Sequence, residues 1–210
     1  MLYKDSFIIS PVTFKLIQEL QSLPELKDFY LVGGTSLALQ IGHRNSIDID
    51  LFCNNDFDET LLLDFLNTKF KLKEVFRRNF TIVALIENIK VDFIKHDYPL
   101  LSPPIYEDGI SFLSKEDICA MKLHTIIKSG KRLKDFIDIY FLLEHFSINE
   151  MIQFFIQKYN YSNPMIAIKA LSFFNDIDEE IDPPILLKPL PFSVIKSRIL
   201  TAIEKPNKIF

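Results

Sequence analysis

One stretch of twenty-five residues, 29–53, restricts the choice of fold more than any other part of the chain. A short apolar run, Phe29–Val32, stops on Gly33-Gly34 and reads as a buried strand. Thr35–Ile41 follows with helical character, Thr35 or Ser36 lying near its start. Ile47–Cys53 then alternates in its first half, as a strand with one wet face does, and carries Asp48 and Asp50. Side chains two apart on a strand share a face, so two carboxylates are brought together. Adjacent carboxylates repel unless positive charge lies between them. Glycine after a strand lets the backbone approach a ligand, and the free amides at a helix start attract phosphate oxygens.

The flanking sequence extends this picture. Pro11 to about Ser22 has helical spacing, with Phe14, Ile17 and Leu20 on one side. Asp58–Phe70 reads as a helix. Leu72–Arg77, Phe80–Glu87 and Ile89–Lys95 read as strands, with a tight turn at Glu87-Asn88. Within Ile89–Lys95, Asp92 is a lone aspartate in an apolar strand, costly unless it is paired or metal-bound. Asp92 is therefore the candidate third carboxylate beside Asp48 and Asp50. Mg²⁺ is a hard cation that favours such oxygens together with substrate phosphates. Two such ions can clamp the attacking and leaving oxygens of a phosphoryl-type transfer.

The character changes near Pro103-Pro104. Lys115–Lys128, Lys131–Phe146, Ile148–Tyr159, Pro164–Asn175 and Phe192–Ile203 all have helical patterning. Ser114 with Asp117 forms a capping-box-like start. Asp176–Pro191, acidic and then proline-rich, reads as a connecting loop. The expected organisation is α+β: a mixed half over residues 1–105 followed by a helical region over 106–210, packed on it.

The 210 residues carry a net charge of −4, which excludes a wholesale basic coat for nucleic acid while leaving room for local basic patches. Two such patches are visible: Lys69, Lys71, Lys73, Arg77 and Arg78, and Lys128, Lys131, Arg132 and Lys134. Cys53 and Cys119 lack metal-ligand spacing and read as reduced, buried thiols. The N-terminus, MLYKDSFIIS, does not read as a signal peptide. No run approaches the roughly 20 apolar residues of a membrane span, so no membrane partner and a cytoplasmic location are expected. Twenty phenylalanines and no tryptophan imply a phenylalanine-rich core.

The string GGTSLALQIGHRNSIDIDLF (residues 33–52), with a later aspartate on a neighbouring strand, resembles the nucleotidyltransferases of the DNA-polymerase-β type. More narrowly it resembles the AbiEii/AbiGii toxin family, which contains the toxin halves of abortive-infection and related type IV toxin–antitoxin systems. A second stretch supports this. Lys122, followed by KSGKRLKDFIDIYFL (residues 128–142), is similar to the family's downstream lysine and R-x-K-D-x-x-D helix, here Arg132, Lys134, Asp135 and Asp138. The resemblance covers about residues 29–143 and implies a polymerase-β-like core with a small mixed sheet and flanking helices, followed by a C-terminal helical bundle.

The resemblance also implies roles. Asp48 and Asp50 would bind Mg²⁺ or Mn²⁺, and Asp92 would complete the site or act as general base. Gly33, Gly34, Thr35 and Ser36 would cradle the triphosphate of a nucleoside triphosphate substrate, with Arg44 and Ser46 beside them. Lys122, in an apolar helix segment, would meet a phosphate; the bland alternative is a surface lysine laid along the helix. Asp135 and Asp138 share a helix face and would pair with Lys122 or Arg132, or position the acceptor. His43 is a weaker phosphate contact, while His96, His124 and His145 show no metal spacing.

The implied activity is metal-dependent transfer of a nucleoside monophosphate to an acceptor hydroxyl, with RNA, particularly a tRNA 3′ end, as acceptor and a separately encoded antitoxin as partner. Transfer to a protein side chain or to a small molecule such as an antibiotic, and a silent nucleotide- or RNA-binding module, are the alternatives.

Overall fold

The computed structural model describes residues 1–160, 163–181 and 183–210. Asp182, inside the expected connecting loop, lies outside them. The described residues form seven strands and eight α-helices in two compact units.

The first unit comprises residues 1–42, 46–98 and 103–113. Its strands are β1 (Tyr30–Val32), β2 (Ile49–Cys53), β3 (Leu72–Arg77), β4 (Thr81–Ile86), β5 (Ile89–Lys95), β6 (Ile105–Glu107) and β7 (Ile110–Phe112). They build one mixed sheet in the order β3-β4-β5-β2-β1-β7-β6. The pairings β1–β7 and β2–β5 are parallel and the others antiparallel. Its helices are α1 (Pro11–Gln21), α2 (Gly33–Ile41) and α3 (Glu59–Asn67).

Alternation along the central strands explains which face the helices cover. Ile49, Leu51 and Cys53 of β2, Ile82, Ala84 and Ile86 of β4, and Val91 and Phe93 of β5 are all buried. They share one core with Leu16, Ile17 and Leu20 of α1 and Leu62, Leu63 and Leu66 of α3. The opposite face receives Asp50, Asp92, Val83 and Leu85. Both helices begin as their sequences require: the Ser10 hydroxyl accepts from Thr13 N, and Asp58 accepts from Thr60 N and Leu61 N.

The sheet continues past residue 105. The hairpin β6–β7 turns at Asp108 and Gly109, both with positive φ, and its strand β7 joins β1. Asp-Gly between short strands is the chemistry of a two-residue hairpin turn. The run of C-terminal helices accordingly begins at Ser114, the N-cap of the first of them.

The second unit comprises residues 43–45, 99–102 and 114–210. It holds α4 (Lys115–Lys128), α5 (Leu133–Leu142), α6 (Ile148–Tyr159), α7 (Met165–Ser172) and α8 (Phe192–Glu204). Ser114 caps α4 through the Asp117 amide, and α6 starts with a full capping box between Ser147 and Glu150. A fully buried ion pair joins α4 to α6: Lys158 Nζ lies 2.7 Å from Asp117 Oδ1. The same ammonium donates to the Pro99 carbonyl, and Asp117 accepts from Leu101 N. Both charges are thus solvated by partners inside the protein, the condition under which a buried pair is tolerated. Among the described residues, no helix is long and apolar enough to cross a membrane.

Candidate functional site

In the sheet unit, the end of β1 sets the geometry. Gly33 takes φ +70°, and a β-carbon on it would overlap the Asp50 carboxylate. Only glycine lets the backbone pass this close. Val32, at the N-cap of α2, offers no side-chain oxygen to the first amides of the helix. Thr35, buried one turn into α2, donates to the Asp48 main-chain carbonyl, and its oxygen lies 2.9 Å from Ser46 Oγ. A single hydroxyl thereby ties the helix to the chain entering β2. Gly34 and Ser36 complete the first turn of the same helix.

Asp50 and Asp92 come from the neighbouring strands β2 and β5, whereas Asp48, expected on the same strand as Asp50, lies just before β2 begins at Ile49. Asp50 and Asp92 are register partners across the parallel β2–β5 pair, so they stand side by side on the face away from α1 and α3. Asp92 is 14% exposed and Lys90 Nζ lies 2.8 Å from its Oδ2. Its Oδ1 is buried without a hydrogen-bond partner among the described residues. Burial disfavours the Lys90 ammonium, yet the bond to Asp92 and the charges of Asp92, Asp50 and Asp48 outweigh this and raise its pKa. One ammonium therefore feels all three carboxylates. Among the described residues, no group of three or more His, Cys, Asp or Glu side chains is arranged so that it could hold a metal ion. The donor set still suits a hard cation: it consists of carboxylate oxygens, and one of them, Asp92 Oδ1, has its lone pairs unused.

In the helical unit a second cluster surrounds Asp138 of α5, which is wholly buried. Arg44 donates to it through Nε at 2.6 Å and Nη2 at 3.0 Å, a bidentate grip. His43 Nε2 donates at 2.8 Å, and Lys122 Nζ of α4 lies 2.6 Å from Oδ2. Lys122 also reaches Asp135 at 2.8 Å, and Arg132 Nε lies 3.7 Å from the other Asp135 oxygen.

Burial alone would raise the Asp138 pKa. The charges of Arg44 and Lys122 and the bonds from His43 and Arg44 overcome it and hold the carboxyl well below its usual range. Lys122 shows the same balance with opposite sign: burial lowers its pKa, Asp135 and Asp138 raise it, and the net shift is upward. For His43 burial prevails over the pull of Asp138, and its pKa is lowered. The imidazole is thus neutral with its proton on Nε2.

Among the sequence candidates, Gly33, Gly34, Thr35, Ser36, Ser46, Asp48, Asp50 and Asp92 belong to the sheet unit. Arg44, Lys122, Asp135 and Asp138 gather in the helical unit. Arg44 is turned to Asp138 rather than left open as a phosphate-facing guanidinium. Lys122 is neutralised by the two aspartates thirteen and sixteen residues further on. Sequence reasoning missed Lys90, and it considered His43 only as a phosphate contact, not as a partner of Asp138. Lys90 was legible as the i−2 neighbour of Asp92 on one strand face; nothing local signalled the pairing of His43 with Asp138.

A family model described as "Nucleotidyl transferase AbiEii toxin, Type IV TA system" matches residues 15–99 and 76–190. The chain belongs to the AbiEii nucleotidyltransferase toxin family. This AbiEii-family chain is 31% identical over 171 residues to the uncharacterized protein aq_aa25 of Aquifex aeolicus (strain VF5), covering 79% of this chain and 82% of the relative.

Solved structures share its fold. A candidate nucleotidyltransferase from Helicobacter pylori superposes with a TM-score of 0.60 at 14% identity, over 95% of this chain and 96% of the other. MenT4, the nucleotidyltransferase toxin Rv2826c of Mycobacterium tuberculosis H37Rv, does so with a TM-score of 0.56 at 13% identity, over 90% and 82% of the two chains. The architecture of the AbiEii-family chain is thus the polymerase-β-like α+β fold.

Proposed function

We propose that this toxin-family nucleotidyltransferase moves a nucleoside monophosphate from a nucleoside triphosphate to a hydroxyl of RNA, at the 3′ end of tRNA. The observation that carries the proposal is the side-by-side pairing of Asp50 with Asp92, with Gly33 pressed against Asp50 and the amides of α2 beginning there. Asp48, Asp50 and Asp92 would hold Mg²⁺ or Mn²⁺, which neutralises the growing charge on the phosphates and the attacking oxygen. Gly33, Gly34, Thr35 and Ser36 would cradle the triphosphate through the first turn of α2, with Ser46 adding a hydroxyl. The acceptor hydroxyl gives its proton to Asp92, its oxygen bonds to the α-phosphorus, and the bond to the β-phosphate breaks to release pyrophosphate.

Arg44, Lys122, Asp135 and Asp138 have a positioning role in this reading. Their mutual neutralisation fixes Arg44, four residues before Asp48 in the chain. A tRNA acceptor implies a cytoplasmic site of action, and the family implies an antitoxin as restraining partner.

Incubation with each labelled nucleoside triphosphate, Mg²⁺ and total cell RNA tests the reading. Label appears on tRNA with the wild type and is absent with Asp48→Ala. Label on protein or on a small molecule would refute the acceptor.

A further inference from the structure

The face of the sheet that carries Asp50 and Asp92 does not end at β5. Cross-strand register continues the row: Asp92 stands opposite Val83, and Val83 opposite Phe76. The adjacent row runs from Lys90 through Leu85 to Lys73. Phe76 reaches this face only because β3 is irregular. Register slips between Glu74 and Phe76, leaving Val75 as the extra residue. With unbroken alternation from Lys73 ↔ Leu85 and Glu74 ↔ Ala84, Val75 would meet Val83, and Phe76 would turn to the helix-covered face opposite Ile82. One inserted residue therefore re-aims an aromatic ring onto the carboxylate face, a use of bulges known at sheet edges beside active sites.

The ring is not buried there. Phe76 is 49% exposed on the edge strand. Residues 69–78 carry five basic side chains, Lys69, Lys71, Lys73, Arg77 and Arg78, against the single acid Glu74, in a chain whose net charge is −4. Arg77 is drawn to Glu74 and Thr60, whereas Lys71, Lys73 and Arg78 project from an exposed strip. An exposed aromatic among lysines on an open sheet face is what a single-stranded nucleic acid uses: the base stacks and the phosphates meet the ammonium groups.

Position decides which nucleotide this is. Along the sheet the order is β3-β4-β5-β2-β1, with Asp92 on β5, Asp50 on β2 and the glycine turn after β1. A triphosphate at the turn directs its leaving pyrophosphate toward β1. In-line displacement needs the attacking hydroxyl on the other side, toward β4 and β3. Phe76 lies two strand spacings, about 10 Å, from Asp92 on that side.

We infer that Phe76, set by the β3 bulge and flanked by Lys73, is the stacking platform for a base near the 3′ end of the acceptor strand. This rests on the proposal of an RNA acceptor.

A single-stranded RNA with a free 3′ hydroxyl and 2-aminopurine next to its end serves as probe, without nucleoside triphosphate. Wild type quenches the fluorophore on binding. Phe76→Ala binds about tenfold or more weakly and loses the quench, Phe76→Tyr keeps both, and Val75→Ala resembles wild type. The KM for the nucleoside triphosphate is unchanged in Phe76→Ala. Wild-type affinity and quenching in Phe76→Ala would overturn the platform while labelled tRNA in the transfer assay left the acceptor standing. Label found only on protein or a small molecule would overturn both.

Discussion

The carboxylate of Asp50 fills the space that a side chain on residue 33 would need. The contact joins the end of β1 to the middle of β2 and fixes where the first amides of α2 point. It makes glycine a requirement of the site as well as of the turn, because φ at this position is +70°.

Gly33→Ala will therefore act twice. The left-handed backbone costs an alanine about 1–2 kcal/mol. The new methyl group also displaces Asp50 from its place beside Asp92. Denaturant unfolding will show the loss of stability, and nucleotide transfer will fall further than the stability loss accounts for. Wild-type transfer in Gly33→Ala would show that the close approach has no catalytic meaning.

Lys90 supplies the positive charge that the three aspartates share. Removing it with Lys90→Met leaves their repulsion for a divalent ion to relieve. Affinity for Mn²⁺, measured by calorimetric titration, will rise about thirtyfold, the roughly 2 kcal/mol of repulsion between a unit charge and a divalent ion about 4 Å apart in a water-like dielectric. That dielectric is the right one, since the Lys90 side chain is 43% exposed. Unchanged or weaker Mn²⁺ binding would contradict the shared-charge reading.

Asp138 will prove the most sensitive residue of the helical unit. Asp138→Asn leaves Arg44 and Lys122 buried without their shared carboxylate and will cost about 3–5 kcal/mol at neutral pH. The folded-state pKa of Asp138 is depressed, so its contribution is complete above the unfolded-state value of about 3.9 and fades as pH falls through the lower folded value. Urea unfolding of wild type and variant across this range will show the gap narrowing only in acid. A gap independent of pH would mean that the carboxylate charge is not what stabilises the cluster.

Much of this architecture was legible residue by residue. Leu72–Arg77, Ile89–Lys95, Lys115–Lys128 and Ile148–Tyr159 have the bounds that their periodicity predicts. In these stretches local pattern and tertiary burial agree. The three-residue strands β6 and β7 are too short for periodicity, and no strand is expected from the sequence after Lys95. The slip at Val75 depends on the register of β4 and leaves no local trace, so the direction of Phe76 was hidden. The grip of Arg44 on Asp138 spans ninety-four positions of sequence. Residue type made Arg44 a phosphate ligand, and only packing reveals the carboxylate already in its grasp. Strand alternation joined Asp48 to Asp50, but β2 begins only at Ile49, and the side-by-side placement of Asp50 and Asp92 depends on the register of β2 with β5.

Turnover of Asp50→Asn, measured beside its melting curve, tests the central claim most directly. Removing one negative charge from the cation-holding oxygens will lower nucleotide transfer by more than about a hundredfold, the loss of several kcal/mol of transition-state stabilisation. The melting transition will stay close to that of wild type, because the core packs on the opposite face of the sheet. An Asp50→Asn protein that folds normally and transfers nucleotide at the wild-type rate would contradict the account.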